Sequence, residues 1–202
     1  MDEQVIKQPL RVQRRLKSRA AILDAALHLF SKDGYEATTF QGIAERAGLH
    51  EQTVYRHFST KAKLADALSD QALARFRSFF SERKVDTMDA WREYVAQRAR
   101  VRHQDDSRSF FESIPTMQST NLAYQFRYER ILADGLAADM QVDVQHDPTP
   151  MMIACMLWGA NMHAVNDWAR SGGQADLEGA VTAVVDNIRL LFGHVLADSP
   201  WR

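Results

Sequence analysis

Residues 38–63 read TTFQGIAERAGLHEQTVYRHFSTKAK, and this stretch decides the fold. Thr38 or Thr39 opens a short helix whose apolar face is Ile43, Ala44 and Ala47. Gly48 ends it in a backbone conformation that costs other residues energy. Gly48-Leu49-His50 makes the turn, and a second short helix runs from Glu51 to about His57. Two short helices joined by a glycine-containing turn of three or four residues form a helix-turn-helix. Ala44 and Ala47 are small enough to let the two helices cross closely. Leu49, Val54 and Phe58 pin the second helix against the first, and against Ile22 and Phe30 of a preceding helix. Gln52, Thr53, Tyr55, Arg56 and His57 then face outward. All are hydrogen-bond formers of the kind that read base edges or hold phosphates. Lys61 follows at the start of the next helix, where its ammonium and the helix amides would both attract a phosphate.

The flanking segments extend the helical reading. From about Lys17 to Lys32, Ile22, Ala26, Leu29 and Phe30 share one face, and Gly34 stands where a terminating glycine belongs. Before it, Lys7, Arg11, Arg14, Arg15, Lys17 and Arg19 stand together with no acid among them. Two readings stay open for this arm: a grip on phosphate or minor groove, or a solvated tail continued by the polar face of the first helix. Downstream, helices are expected from about Ser59-Thr60 to Ser81, Asp86 to His103, Ser119 to Met140, Thr149 to Ser171 and Asp176 to Val195. The last carries Leu177, Val181, Val184, Val185, Ile188, Leu191, Phe192 and Val195 at helical spacing. Sustained period-2 alternation is absent, so the class is all-α, with about nine helices.

Composition sets the outer limits. The chain has 202 residues, 46% hydrophobic and 25% charged, as in a soluble globular protein. The longest charge-free apolar run, Met151 to Ala160, is too short to span a bilayer, and no secretory signal is evident at the N-terminus. The single cysteine, Cys155, fits a reducing cytoplasmic setting. The net charge of −1 hides an asymmetry. Residues 1–64 hold eleven basic and seven acidic side chains, whereas the remainder holds fourteen and nineteen. A basic first third is what a polyanion partner would meet. Enzyme chemistry has no support. His50-Glu51 and His57 miss the His-Glu-x-x-His spacing of a zinc protease, no glycine loop cradles phosphate, and there is no Cys-x-x-Cys. His103, Asp105 and Asp106 cluster as surface residues commonly do. No metal and no cofactor is implied.

From about Arg15 to Leu64 the chain resembles the DNA-binding domain of the TetR (tetracycline-repressor) family of bacterial transcriptional regulators. The likeness lies in Ile22-Leu23-x-Ala25-Ala26-x-x-Leu29-Phe30, Gly34-Tyr35, Thr38-Thr39, Ile43-Ala44, Ala47-Gly48, Thr53-Val54-Tyr55-x-x-Phe58 and Lys61. The resemblance implies that Thr39, Tyr55 and Lys61 bind phosphates and that Gln41 points toward the backbone or a groove edge. It further implies that Gln52, Thr53 and Arg56 enter the major groove, with His57 at its rim. His50 stands where the family often has Ser or Thr. Glu51 follows it, either accepting from a cytosine amino group or complementing the helix N-terminus.

The resemblance also implies a DNA-binding domain over 15–64 and a ligand-binding and dimerisation domain over 65–202. The expected product is a homodimeric repressor of double-stranded DNA, released by a small-molecule effector. Met151–Ala160, apolar around the helix, and the Leu177–Val195 stripe suit a four-helix bundle with a second copy; burial within one subunit is the alternative. Trp91, Tyr94, Phe110, Phe111, Tyr124, Met152 and Met156 are candidates to line an apolar or acyl-accepting cavity, with Asn161 and His163 as polar contacts. Arg98 and Arg102 could meet a carboxylate or phosphate. The run Arg127-Tyr128-Glu129-Arg130 and Trp168 to Gly173 is similar to a TetR subgroup with acyl-chain or acyl-CoA-like ligands. A ligand-independent architectural DNA binder is the other reading, and a full, dry core would mark it.

Overall fold

The structure, a computed structural model, describes residues 9–104 and 122–193. The described residues form eight helices and no strand: α1 (Leu10–Asp33), α2 (Phe40–Ala47), α3 (Glu51–His57), α4 (Lys61–Ser81), α5 (Thr87–Gln104), α6 (Leu122–Met140), α7 (Thr149–Arg170) and α8 (Leu177–Phe192). The all-helical expectation is met. Two compact units divide at Leu68 and Ser69, and α4 runs through the division. No helix among the described residues is long and apolar enough to cross a membrane.

The first unit is built on α1 to α3 and the start of α4. Ile22, Ala26 and Phe30 of α1, Ile43 of α2, Val54 of α3 and Leu64 of α4 are fully or almost fully buried together. Each large side chain so buried contributes roughly 1.5–3 kcal/mol. Helix α1 starts at Leu10, earlier than the expected Lys17. The run Leu10 to Leu16 follows Pro9 and consists mostly of strong helix formers with no glycine, so nothing stops the helix nearer Lys17. Arg11, Arg14, Arg15, Lys17 and Arg19 therefore stand on a helix rather than a loose arm; Lys7 lies outside the described residues.

In the second unit, α6, α7, α8 and α5 surround a core that includes Leu132, Leu136, Ile153, Leu157, Leu177, Val181 and Val185. Asp139 of α6 accepts from the backbone N–H of Thr87 at 2.6 Å and pairs with Arg83 at 3.2 Å, tying α6 to the start of α5. Gly135 is required there. A Cβ on it would lie 2.7 Å from Thr87 Oγ1. Ion pairs join α5 and the residue before it to α8: exposed pairs of Arg92 with Asp186 and Arg100 with Glu178, and a part-buried Arg189 with Asp86 and Asp89. Asp176 caps α8 through Gly179 N–H at 2.9 Å, as its position predicts. The expected cap of α7 shifts: Pro148 occupies the position, and Asp147 accepts from Thr149 N–H at 2.8 Å.

Candidate nucleic-acid interface

Helix α2 is capped by Thr39, whose hydroxyl accepts from Gly42 N–H at 3.1 Å. Gly48, at φ 65°, ends α2 in the left-handed region, where only glycine is unstrained. Its N–H donates to Glu45 and that of Leu49 to Ala44, closing the paired hydrogen bonds that turn the chain into α3. His50 precedes α3 in extended backbone and caps it with no side-chain bond.

Helix α3 has one inward residue, Val54, fully buried, with Phe58 buried just beyond it. Glu51, Gln52, Tyr55 and Arg56 are exposed, and Thr53 and His57 are half-buried. The Tyr55 ring stands edge-on to Phe40 at 4.7 Å, which fixes its direction while 54% of the residue stays exposed. Arg19 of α1 lies over the Phe58 ring at 4.5 Å. That interaction brings a cation from α1 to the end of α3, and nothing in the sequence pattern signals it. Burial holds the His57 imidazole below the usual histidine range, and the charges of Arg56, Arg15 and Arg19 push the same way. Gln41 is exposed, and its amide donates to Glu45 at 2.9 Å.

Lys61 departs from the expectation. Its ammonium donates to the carbonyls of Tyr35, Glu36 and Thr38 at 2.7, 3.1 and 3.2 Å, and it lies 4.6 Å from the Tyr35 ring centroid. All three of its protons are used by the α1–α2 connection. The reason is local: Gly34 turns the chain so that these carbonyls lack helical donors, and a lysine at the start of α4 supplies them.

The candidate effector residues scatter. Trp91 is buried and Tyr94 half-buried on α5. Tyr124 donates its hydroxyl to Asp70 at 3.1 Å. Asn161 is buried, its amide donating to the Val181 carbonyl at 3.4 Å, while its Oδ1 has no partner among the described residues. Met152 and Met156 are 53% and 38% exposed, turned away from the buried Ile153 and Leu157. His163 is exposed and lies 3.5 Å from Asp167. The apolar run Met151–Ala160 fills two faces, so half its residues cannot reach the core of their own chain. Phe110 and Phe111 lie outside the described residues, as do Asp105 and Asp106. Tyr128 is not among the expected lining residues, yet it joins the buried rings. It stacks on Trp158 at 4.6 Å and meets Phe76 edge-on at 4.9 Å. Its position four residues after Tyr124 is the available signal.

Residues 22–68 match the family model for "Bacterial regulatory proteins, tetR family". The chain is 50% identical over 50 residues to the uncharacterized HTH-type transcriptional regulator YvkB of Bacillus subtilis, covering 25% of this chain and 26% of that protein. It is 26% identical over 132 residues to the tetracycline repressor protein class D of Escherichia coli, covering 60% and 59%. The chain thus spans about a quarter of one of these relatives and about three fifths of the other. Among solved structures it shares a fold with the fatty acid degradation regulator FadR of Bacillus halodurans (TM-score 0.64, 20% identity, 85% of this chain and 94% of that one). It shares the fold also with a SmeT–triclosan complex (TM-score 0.67, 20% identity, 86% and 90%). With the capped, glycine-turned helix pair and the outward polar face of α3, these likenesses show that residues 22–68 carry the pattern of the TetR-family DNA-binding region and that the chain shares the fold of the solved regulators.

Proposed function

We propose that this chain is a ligand-responsive, dimeric DNA-binding transcriptional regulator. The observation that carries the reading is α3. It is a seven-residue helix with one buried side chain; every other residue on it is polar, Glu51, Gln52, Tyr55 and Arg56 being exposed and Thr53 and His57 half-buried. A helix that buries so little is kept for the face it shows to something else. Gln52, Thr53 and Arg56 would meet base edges in the major groove, while Tyr55 and Thr39 hold phosphate oxygens. Thr39 can do both jobs: its oxygen caps α2 and its O–H remains available to donate. Gln41 would add a contact at the groove edge and His57 one at the rim. The exposed basic residues of α1 would add phosphate contacts.

A single recognition helix reads too few bases for useful discrimination, so a second copy is needed. The outer stripe of α7, Met152, Met156, Gly159 and His163, recurs at helical spacing and is exposed. Leu190 and Leu191 of α8 are 81% and 63% exposed. Two apolar stripes of this kind suit a twofold four-helix interface with a second chain. The effector would enter the second unit, where the buried Trp91 Nε1 and Asn161 Oδ1 have no hydrogen-bond partner among the described residues, and shift the spacing of the two α3 helices.

Selection from a random duplex pool tests this. The expected product is a palindrome with half-sites one helical turn apart, about 34–36 Å, bound with a strong salt dependence. Enrichment of no sequence, or binding indifferent to salt, would overturn the reading.

A further inference from the structure

Helices α4 and α6 leave an open groove between them in the second unit, with a volume of about 610 Å³. One wall is the end of α4, with Arg77, Phe80 and Ser81, and the other is a face of α6 from Phe126 to Ala138. The α6 lining residues recur every three or four positions over about three turns, so the groove follows that helix for about 18 Å. Phe80 is buried and Ile131 half-buried, giving the groove an apolar base. Phe126, 63% exposed, carries that apolar surface out to the solvent.

Four arginines, Arg77, Arg83, Arg127 and Arg130, line the groove against one acid, Asp134. The composition of the unit does not predict this, since residues 65–202 hold fourteen basic and nineteen acidic side chains. Arg83 is committed to the buried Asp139 at 3.2 Å. The other three can turn to a partner. Arg77 is exposed and has no acidic partner among the described residues. Arg127 pairs with Asp70 at 2.9 Å and Arg130 with Asp134 at 3.0 Å, all four side chains being 42–58% exposed. Ion pairs so exposed contribute little, and an incoming carboxylate competes with them readily. Each wall therefore offers positive charge, Arg77 from α4 and Arg127 and Arg130 from α6.

An open groove covers one side of its occupant, whereas a small-molecule site encloses most of its ligand. The length, the apolar base and the cationic walls match one face of an amphipathic helix, with residues i, i+3, i+4 and i+7 on the base and acids along the flanks. We propose that the groove between α4 and α6 docks an acidic amphipathic helix of a partner protein, seated on Phe80, Phe126 and Ile131 and held at its flanks by Arg77, Arg127 and Arg130. The groove shares no residue with α3 or with the α7 and α8 stripes assigned above to the second copy, so this partner is additional to both.

Fluorescence anisotropy with the full-length protein tests it, using a labelled synthetic peptide of about 16 residues, long enough to span the groove as a helix. The peptide carries leucine at helical spacing, glutamate on both flanks and alanine elsewhere. One control replaces glutamate by glutamine, and a second keeps the composition but scatters the leucines around the helix. The acidic amphipathic peptide is expected to bind about tenfold more tightly than either control, or better. Arg77→Glu should weaken it about tenfold, and Arg130→Ala and Phe126→Ser severalfold, with helical circular dichroism unchanged. Equal binding of either control, or unchanged affinity in all three variants, would overturn the docking site. Loss of duplex affinity or of the dimer mass in a variant that keeps its circular dichroism would give the groove to DNA or to the second copy and overturn it too. So would failure of the acidic peptide to bind a protein that still holds duplex DNA, which would leave the DNA reading intact.

Discussion

Lys61 separates two accounts of the same residue, and Lys61→Met decides between them. Methionine keeps the aliphatic stem and removes the ammonium. Three carbonyls, those of Tyr35, Glu36 and Thr38, then lose a charged donor at 2.7–3.2 Å, and the Tyr35 ring loses a cation 4.6 Å away. A hydrogen bond to a charged group contributes about 1.5–3 kcal/mol, and an exposed cation–π interaction about 0.5–1. These interactions share one ammonium and the freed carbonyls are partly wet, so they do not add in full. The expected loss is about 2–3 kcal/mol, and at about 2–4 °C per kcal/mol Tm falls by roughly 4–12 °C. The assay is thermal unfolding of the intact protein, followed by operator binding well below Tm at several salt concentrations. On the structural account the slope of log affinity against log salt is unchanged. Had the lysine neutralised a phosphate, its removal would make that slope shallower by about 0.9. An unaltered Tm together with a reduced slope would refute the structural account and return Lys61 to the DNA.

Four further outcomes are expected. Gly135→Ala places a methyl 2.7 Å from Thr87 Oγ1 and should destabilise the protein by about 1–3 kcal/mol in denaturant titration, with much of the loss recovered in the Gly135→Ala/Thr87→Ala double variant. Leu190→Glu removes an exposed leucine from both copies of the proposed twofold interface, so a dimer built on α8 should weaken by about 3–6 kcal/mol and light scattering should show a single-chain mass; an unchanged mass would rule out α8 as the interface. Tyr55→Ala should weaken binding to all duplexes alike, whereas Arg56→Ala or Gln52→Ala should change the preference between operator variants in competition assays. Finally, DNA affinity should rise as pH falls. The free His57 titrates below its usual range, and a nearby phosphate raises its pKa, so binding takes up a proton. The gain appears as pH drops through the bound pKa and levels off below the free one, and His57→Gln should flatten this profile.

The parts legible in sequence are those where one residue type answers one local backbone demand. Gly48 occupies the left-handed position at the end of α2, Asp176 and Thr39 cap helices, and Val54 and Phe58 are the apolar residues that hold α3 down. Each requirement involves neighbours within about four residues, so spacing alone reveals it. Lys61 escapes such a reading because its partners lie 23 to 26 residues away, in a connection whose carbonyls become acceptors only once Gly34 has turned the chain. A lysine at a helix start looks the same in sequence whether it faces a phosphate or a row of carbonyls.

The second unit shows a different limit. Met152, Met156, Asn161 and His163 all belong to one helix and all look suited to a cavity, yet only Asn161 turns inward. Composition tells that α7 is more apolar than one core face needs. It does not tell which of two apolar faces belongs to its own chain, because both are lined by the same residue types. Periodicity resolves this only when one face is already assigned. Ile153, Ala154, Leu157 and Val165 are fixed inward by their packing in the core with α6 and α8, and the methionines then fall outward by the 3.6-residue repeat. The outward set consists of flexible, polarisable side chains beside Gly159, a composition that accommodates a facing helix better than it encloses a small molecule. The buried ring group inside the unit joins Trp91 and Tyr94 of α5 with Tyr128 of α6 and Trp158 of α7, which come together only when those helices pack. For that reason the place of Tyr128 in it escapes a reading that proceeds one helix at a time.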